Sequence, residues 1–198
     1  MPKEKTTTSE VKKLNVGCGQ DHKEGYVNID WDPLSKADVQ HNLNVYPYPF
    51  PDATFDHIDA FHVLEHLDRP FEVMKEFHRM LKDGGTLTVK TPHFSRGFTH
   101  SEHAHGFDVT FPMYFRKDFL GSGYTGVNFV CHSIALHWSA FSYLLPNLGY
   151  GKVATTGVKI LNVVFSFLAN LSPTLCSRLW CFWVGGFEEI EFHFKKTA

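Results

Sequence analysis

The chain is short of the features that would place it in many classes. Its four cysteines (Cys18, Cys131, Cys176 and Cys181) contain no C-x-x-C pair and no framework spacing, which argues against a disulfide scaffold and fits a reducing, cytoplasmic compartment. There is no large excess of either charge: 19 Lys and Arg against 21 Asp and Glu leave a formal net charge of -2, so no general affinity for nucleic acid or acidic membranes is expected. The start, Met1 to Thr8, is polar and lacks a signal-peptide pattern, and residues 1–12 read as a disordered tail. No G-x-S-x-G occurs, no nucleophile–histidine–acid pattern is recognisable, and no helical H-E-x-x-H is present. Repeats and low-complexity stretches are missing too.

What is present suits a globular fold. A hydrophobic fraction of 43% with 20% charged residues can build a real core, and 13–198 reads as one domain. Its first informative stretch is Leu14-Asn15-Val16-Gly17-Cys18-Gly19, an apolar strand running into two glycines. Glycines at a strand's carboxyl end let the backbone approach a ligand closely. A second strand, Tyr26 to Ile29, delivers Asp30 where a ribose diol could bind it. A dinucleotide fingerprint would need a third glycine and an acidic residue about 20 positions on. Here His22 stands in the glycine's place and Asp30 comes early. Gln20 to Glu24 leaves too little chain for a crossover helix, so the first helix should shrink to a turn. A pyrophosphate would then lose its helix N-terminus. S-adenosylmethionine, which has no phosphate, suits the loop better than NAD.

Further along, Trp31 could stack on a purine or cover the sheet edge. Ala37 to His41 reads as a third strand ending in Asn42-Leu43, a pair that could bond and pack an adenine or simply start a turn. Phe55 to Phe61 alternates as strand four. Pro70 opens a helix whose apolar positions recur through Leu81, and Gly84-Gly85 reads as its C-terminal cap. Thr86 to Val89 is strand five. Strands alternating with helices and turns predict a parallel α/β sheet.

The run V-G-C-G, then G-Y-V-N-I-D, P-F-P-D-A-T-F-D-H-I-D-A-F-H-V-L-E-H-L and E-F-H-R-M-L-K-D-G-G-T-L-T-V-K-T-P resembles class I S-adenosylmethionine-dependent methyltransferases. It is most similar to the subgroup in which G-Y-x-N-x-D follows the glycine loop. The resemblance covers residues 13–93. It implies a Rossmann-like, mostly parallel sheet with a short first helix and a C-terminal helical insertion. It also implies that Gly17 and Gly19 meet the methionine moiety, Asp30 the ribose, and Asn42 and Leu43 the adenine; Val16, Cys18 and Trp31 count with them as candidate cofactor contacts. Phe61 and His62 would lie under the sulfonium. Family members often carry Asp where Asn42 stands.

Residues 93–112 hold His93, His100, His103 and His105. A metal-dependent enzyme built on these four is one reading, although His103-Ala104-His105 matches no zinc spacing, and no metal is expected. The other is a substrate loop over the active site, with His105, Phe107 and Phe111 covering it. His62, His93 and His105 are candidate catalytic bases, or histidines that order loops. The remaining chain reads as an apolar cap over 113–184 and a closing edge strand over 187–194. Within it, Met113 to Leu120 should begin a helix and Cys131 to Trp138 a strand. Thr155 to Leu171 falls short of the roughly 20 apolar residues that span a bilayer, so a buried or interfacial helix is expected. This third of the chain could cap a small or lipid-like acceptor, meet a partner chain or a membrane surface, or be an ordinary lid. A non-catalytic nucleoside-binding protein of the same fold is the rival to methyl transfer, and a nicotinamide oxidoreductase is more distant.

Overall fold

The computed structural model describes residues 11–97, 101–119 and 123–197. Seven strands form one sheet: β1 (Lys13–Val16), β2 (Val27–Asp30), β3 (Val39–Gln40), β4 (Phe55–Phe61), β5 (Leu81–Pro92), β6 (Phe129–His137) and β7 (Glu189–Lys196). Their order is β3-β2-β1-β4-β5-β7-β6. β1 to β5 pair in parallel, and β7 runs antiparallel to both β5 and β6. The fold is thus Rossmann-like, with one reversed strand let into a parallel sheet.

The expectation of a closing edge strand is corrected here, since β7 is interior and β6 forms the edge. Alternation along β7 reports which side chains face the core: Ile190, Phe192 and Phe194 are buried. It carries no information on how many neighbours the backbone has. The helix boundary also moves. α1 (Pro70–Met80) stops at Met80, and Leu81 is already extended and paired with Phe55. Gly84, at φ 75°, and Gly85 lie beyond the helix, where the β4–β5 register shifts.

Between β1 and β2 the chain makes only turns, as the short spacing requires. Asn28, fully buried, replaces the missing helix as an organiser. Its Oδ1 accepts from Asn15 Nδ2 at 3.0 Å and from the Lys23 backbone at 2.9 Å, while its Nδ2 donates to Asp38 at 2.9 Å. The consequence is a one-sided sheet. α1 presses Val73, Met74, Phe77 and Met80 onto one face, where Leu14, Ile58, Leu87, Phe192 and Phe194 supply the core. The other face carries Asn15, His57, Asp59, Thr88, Glu191 and His193 in register. Lys23 reaches Asp59 at 2.8 Å, and His57 bonds both Asp59 (2.8 Å) and Thr86 (2.7 Å).

After β5 comes one turn, α2 (Phe94–Gly97), and then a 3-10 segment at Phe111–Phe115 where a helix from Met113 was expected. Phe111 and Phe115 dive into a ring cluster with Phe192 and Phe194, and Arg116 leaves in extended conformation. α3 (Lys152–Asn170) and α4 (Pro173–Arg178) follow β6. α3 is not buried: only Thr155 and Ala169 are inaccessible. Its Asn162, Ser166 and Asn170 face the end of β6 and serve Leu136 and the two residues that follow the strand. Asn162 Oδ1 accepts from the Ser139 amide (2.8 Å), Ser166 Oγ from Trp138 (3.1 Å), and Asn170 Oδ1 from Leu136 (2.8 Å). Asn170 Nδ2 donates back to the Leu136 carbonyl at 2.9 Å. The carboxyl end of the edge strand is thereby closed to pairing with another strand.

Candidate functional site

The parallel strands β1, β2 and β4 end at one rim, the place where open α/β sheets hold ligands. A cavity of about 540 Å³ opens there, within the range of small-molecule sites. Gly17, Asp30, Trp31, Asn42, Leu43 and His62 all line it, so six of the residues singled out above converge. Gly17 adopts φ 64°, and a Cβ there would sit 2.3 Å from Val63 Cγ2; any larger residue would be strained and would have to displace Val63. Asp30 is buried, 6% exposed. Its Oδ2 accepts from the Gly19 amide at 2.7 Å and its Oδ1 from Asp32 at 2.9 Å. It therefore ties the glycine loop to the turn after β2, and each oxygen keeps a lone pair for a ligand.

Trp31 is 68% exposed and stands at the cavity wall, not packed over the sheet edge. Asn42 does two things: its Oδ1 accepts from the Asn44 amide, starting a turn, and it faces the cavity. Of the other expected contacts, Val16 and Cys18 are buried beneath the loop, and burial raises the Cys18 thiol's pKa. Gly19 supplies the amide to Asp30. Phe61 lies under Lys23, whose Nζ is 3.8 Å from the ring centroid.

His62 sits at the hinge of the arrangement. It holds φ 54°, uncommon outside glycine and costly unless its surroundings fix it. Its amide donates to the Lys90 carbonyl at 2.8 Å. Its ring lies between two carboxylates, with Nε2 2.8 Å from Glu189 Oε2 and Nδ1 3.4 Å from Glu65 Oε1. Burial alone would lower its pKa, but bonding and attraction to Glu189 and Glu65 prevail and hold it at about 9. At neutral pH this imidazole keeps its proton. It lines a second cavity as well, of about 470 Å³, with Phe61, Lys90, His137, Phe141 and Glu189.

The three candidate bases do not meet. His93 is fully buried, bonded to Ser177 (2.8 Å) and Ser95 (2.7 Å), and burial lowers its pKa to about 4. His105 lines a different cavity, with Phe71, Phe107 and Tyr114. His100 lies outside the described residues. Among the described residues, the donor groups close enough to share an ion are Glu65–His66–His103 and His137–Glu189–Glu191. Of His93, His103 and His105, only His103 belongs to either, so these three do not form a common centre. Sequence reasoning missed Glu65, Lys90, His137 and Glu189. Glu65 sits in the quoted V-L-E-H-L block, but Glu189 is 127 residues from its partner His62, and no local signal joins them.

Residues 18–89 match the methyltransferase domain family. A probable S-adenosylmethionine-dependent methyltransferase of Mycolicibacterium smegmatis is 31% identical over 100 residues, covering 40% of this chain and 37% of that protein. The chain thus spans little more than a third of that curated relative's length. Among solved structures, a SAM-dependent methyltransferase from Archaeoglobus fulgidus superposes with TM-score 0.57 at 16% identity, over 95% of this chain and 87% of that one. The (4+2)-cyclase SpnF does so with TM-score 0.52 at 16% identity, over 95% and 76%. These two likenesses establish the fold.

Proposed function

We propose that the chain is an S-adenosylmethionine-dependent methyltransferase of the class I fold, in the branch where G-Y-x-N-x-D follows the glycine loop. One observation carries this: Gly17, Asp30, Trp31, Asn42, Leu43 and His62 line one cavity at the strand ends. The donor set fits the cofactor. A bare glycine backbone receives the amino-acid end, a carboxylate faces the ribose, and an aromatic and an aliphatic side chain flank the adenine. When bound, S-adenosylmethionine supplies a sulfonium-activated methyl group for in-line displacement.

The chain's own residues then position the partners, which is where much of the rate of such a reaction lies. His62 separates the two cavities and keeps its proton, so it orients and does not act as a base at neutral pH. The second cavity, lined by Phe61, Phe141, Lys90 and Glu189, is the acceptor side and suits a small or lipid-like molecule with polar groups at one end. The four free cysteines support a cytoplasmic setting.

Calorimetry on the purified chain tests the reading, with S-adenosylmethionine, S-adenosylhomocysteine and NAD as titrants. Micromolar binding of the first two and none of NAD is expected. Asp30→Ala should weaken it by about tenfold or more, the worth of charged hydrogen bonds; Asp30→Asn keeps the size and one of the two loop bonds, and circular dichroism on both variants controls for folding. Undiminished binding in a folded Asp30→Ala, or no binding by the wild type, would sink the assignment.

A further inference from the structure

The longest helix of the molecule is inside out for a protein in water. α3 turns Asn162, Ser166 and Asn170 inward to β6. Its outer face shows Ile160, Val163 and Phe167 at 60%, 69% and 66% exposure. The apolar surface continues past the helix through Leu171, Phe182 and Trp183, exposed at 68%, 66% and 84%. Surface helices of soluble monomers have the opposite arrangement, and patches of this kind mark something that covers them.

Charge indicates what that is. From Phe119 through Phe187 there is no aspartate or glutamate, so all 21 acidic residues lie elsewhere, while Lys152, Lys159 and Arg178 fall within. Lys152 and Lys159 are two turns apart, on the stripe of α3 that runs on to Ser166 and borders the outer face beside Val163. Among the described residues neither has an ion-pair partner. The balance of the whole chain, -2, conceals this local basic, apolar stretch.

Topology decides how the helix would meet a bilayer. At 19 residues and mean hydropathy 1.4, α3 is long and apolar enough to cross one. Yet the chain leaves the sheet at His137 and returns at Glu189, its paired neighbour. One crossing would put β6 and β7 on opposite sides. The return segment after α3, residues 171–188, is broken by Pro173 and carries Arg178 and Gly185-Gly186, so it offers no unbroken apolar run of the roughly 20 residues a second crossing needs. The helix must therefore lie flat.

We propose that α3 and the apolar residues after it dock in the plane of an anionic lipid bilayer, apolar face down, with Lys152 and Lys159 reaching the headgroups. Tyr143 and Asn162, from the same stretch, also line the second cavity, so docking sets that cavity beside the lipid. This last consequence rests on the proposed methyl transfer; the docking does not.

The test is co-sedimentation of the full chain with phosphatidylcholine vesicles, with and without phosphatidylserine, alongside sedimentation velocity in the absence of lipid. A monomer that pellets with the phosphatidylserine vesicles, and less with phosphatidylcholine alone or in high salt, is expected. Val163→Asp with Phe167→Asp should cut partitioning by about tenfold or more, with circular dichroism and S-adenosylmethionine binding unchanged. Lys152→Glu with Lys159→Glu should erase the preference for phosphatidylserine. A monomer that ignores vesicles overturns the proposal. So does self-association that the aspartate variants abolish without any lipid binding, which would make a second copy of the chain the occupant. Loss of cofactor binding with vesicle binding intact would refute the methyltransferase reading alone.

Discussion

Replacing Glu189 by Gln tests the electrostatics of the site most directly. In the wild type, His62 is raised from 6.5 to about 9 by Glu189 at 2.8 Å and Glu65 at 3.4 Å, against the opposing effect of burial. At about 1.4 kcal/mol per pH unit, that shift corresponds to roughly 3 kcal/mol. The figure is an upper one, because the side chain is 30% exposed and solvent screens it. A histidine whose folded pKa exceeds its unfolded one contributes its full stabilisation below the unfolded pKa. That stabilisation drains away as pH rises through the folded value. For the wild type the loss therefore spans pH 6.5 to about 9. Glu189→Gln keeps an acceptor but removes the nearer charge, leaving Glu65 alone, and His62 should titrate about 1–2 units lower. The assay is the histidine ring resonance followed by NMR across pH, paired with urea unfolding at each pH. The stability decline should move to lower pH with the NMR midpoint. An unshifted midpoint in the variant, or a wild-type midpoint near 6.5, would refute the reasoning.

Gly17→Ala should lower stability by about 2–4 kcal/mol, adding the left-handed backbone cost to an overpacked contact with Val63. Thermal unfolding measures it, and adding Val63→Ala should recover the packing part only. His93, held at about 4 by burial, makes stability fall as pH drops from 6.5 through 4, by up to about 3 kcal/mol. In His93→Gln this acid dependence should vanish from urea unfolding curves, and its persistence would show that another group carries it.

The parts of the site legible in the sequence are those written in consecutive residues. Gly17, Gly19 and Asp30 need particular backbone shapes and one carboxylate at short range, and local spacing expresses both. The absent first helix could be read the same way, from the few residues between Gly19 and Tyr26. Glu189 could not, because β7 enters the middle of the sheet from far along the chain and places its first side chain against His62. α3 is the opposite lesson. Lys159, Asn162 and Asn170 look like interruptions of an apolar run, yet the two asparagines are its inward face. Periodicity finds the two sides of a helix and says nothing of which one meets the protein.

The ladder of Asn162, Ser166 and Asn170 gives the molecule a built-in reporter. The amides of Leu136, Trp138 and Ser139 are closed by side chains of another element, not by a neighbouring strand. Their rates of exchange with deuterated water therefore follow the seating of α3 at the end of β6, while the amides of β6 that bond to β7 follow the opening of the sheet. Comparing these two neighbouring sets of amides separates the helix lifting from the fold unravelling, with no label attached.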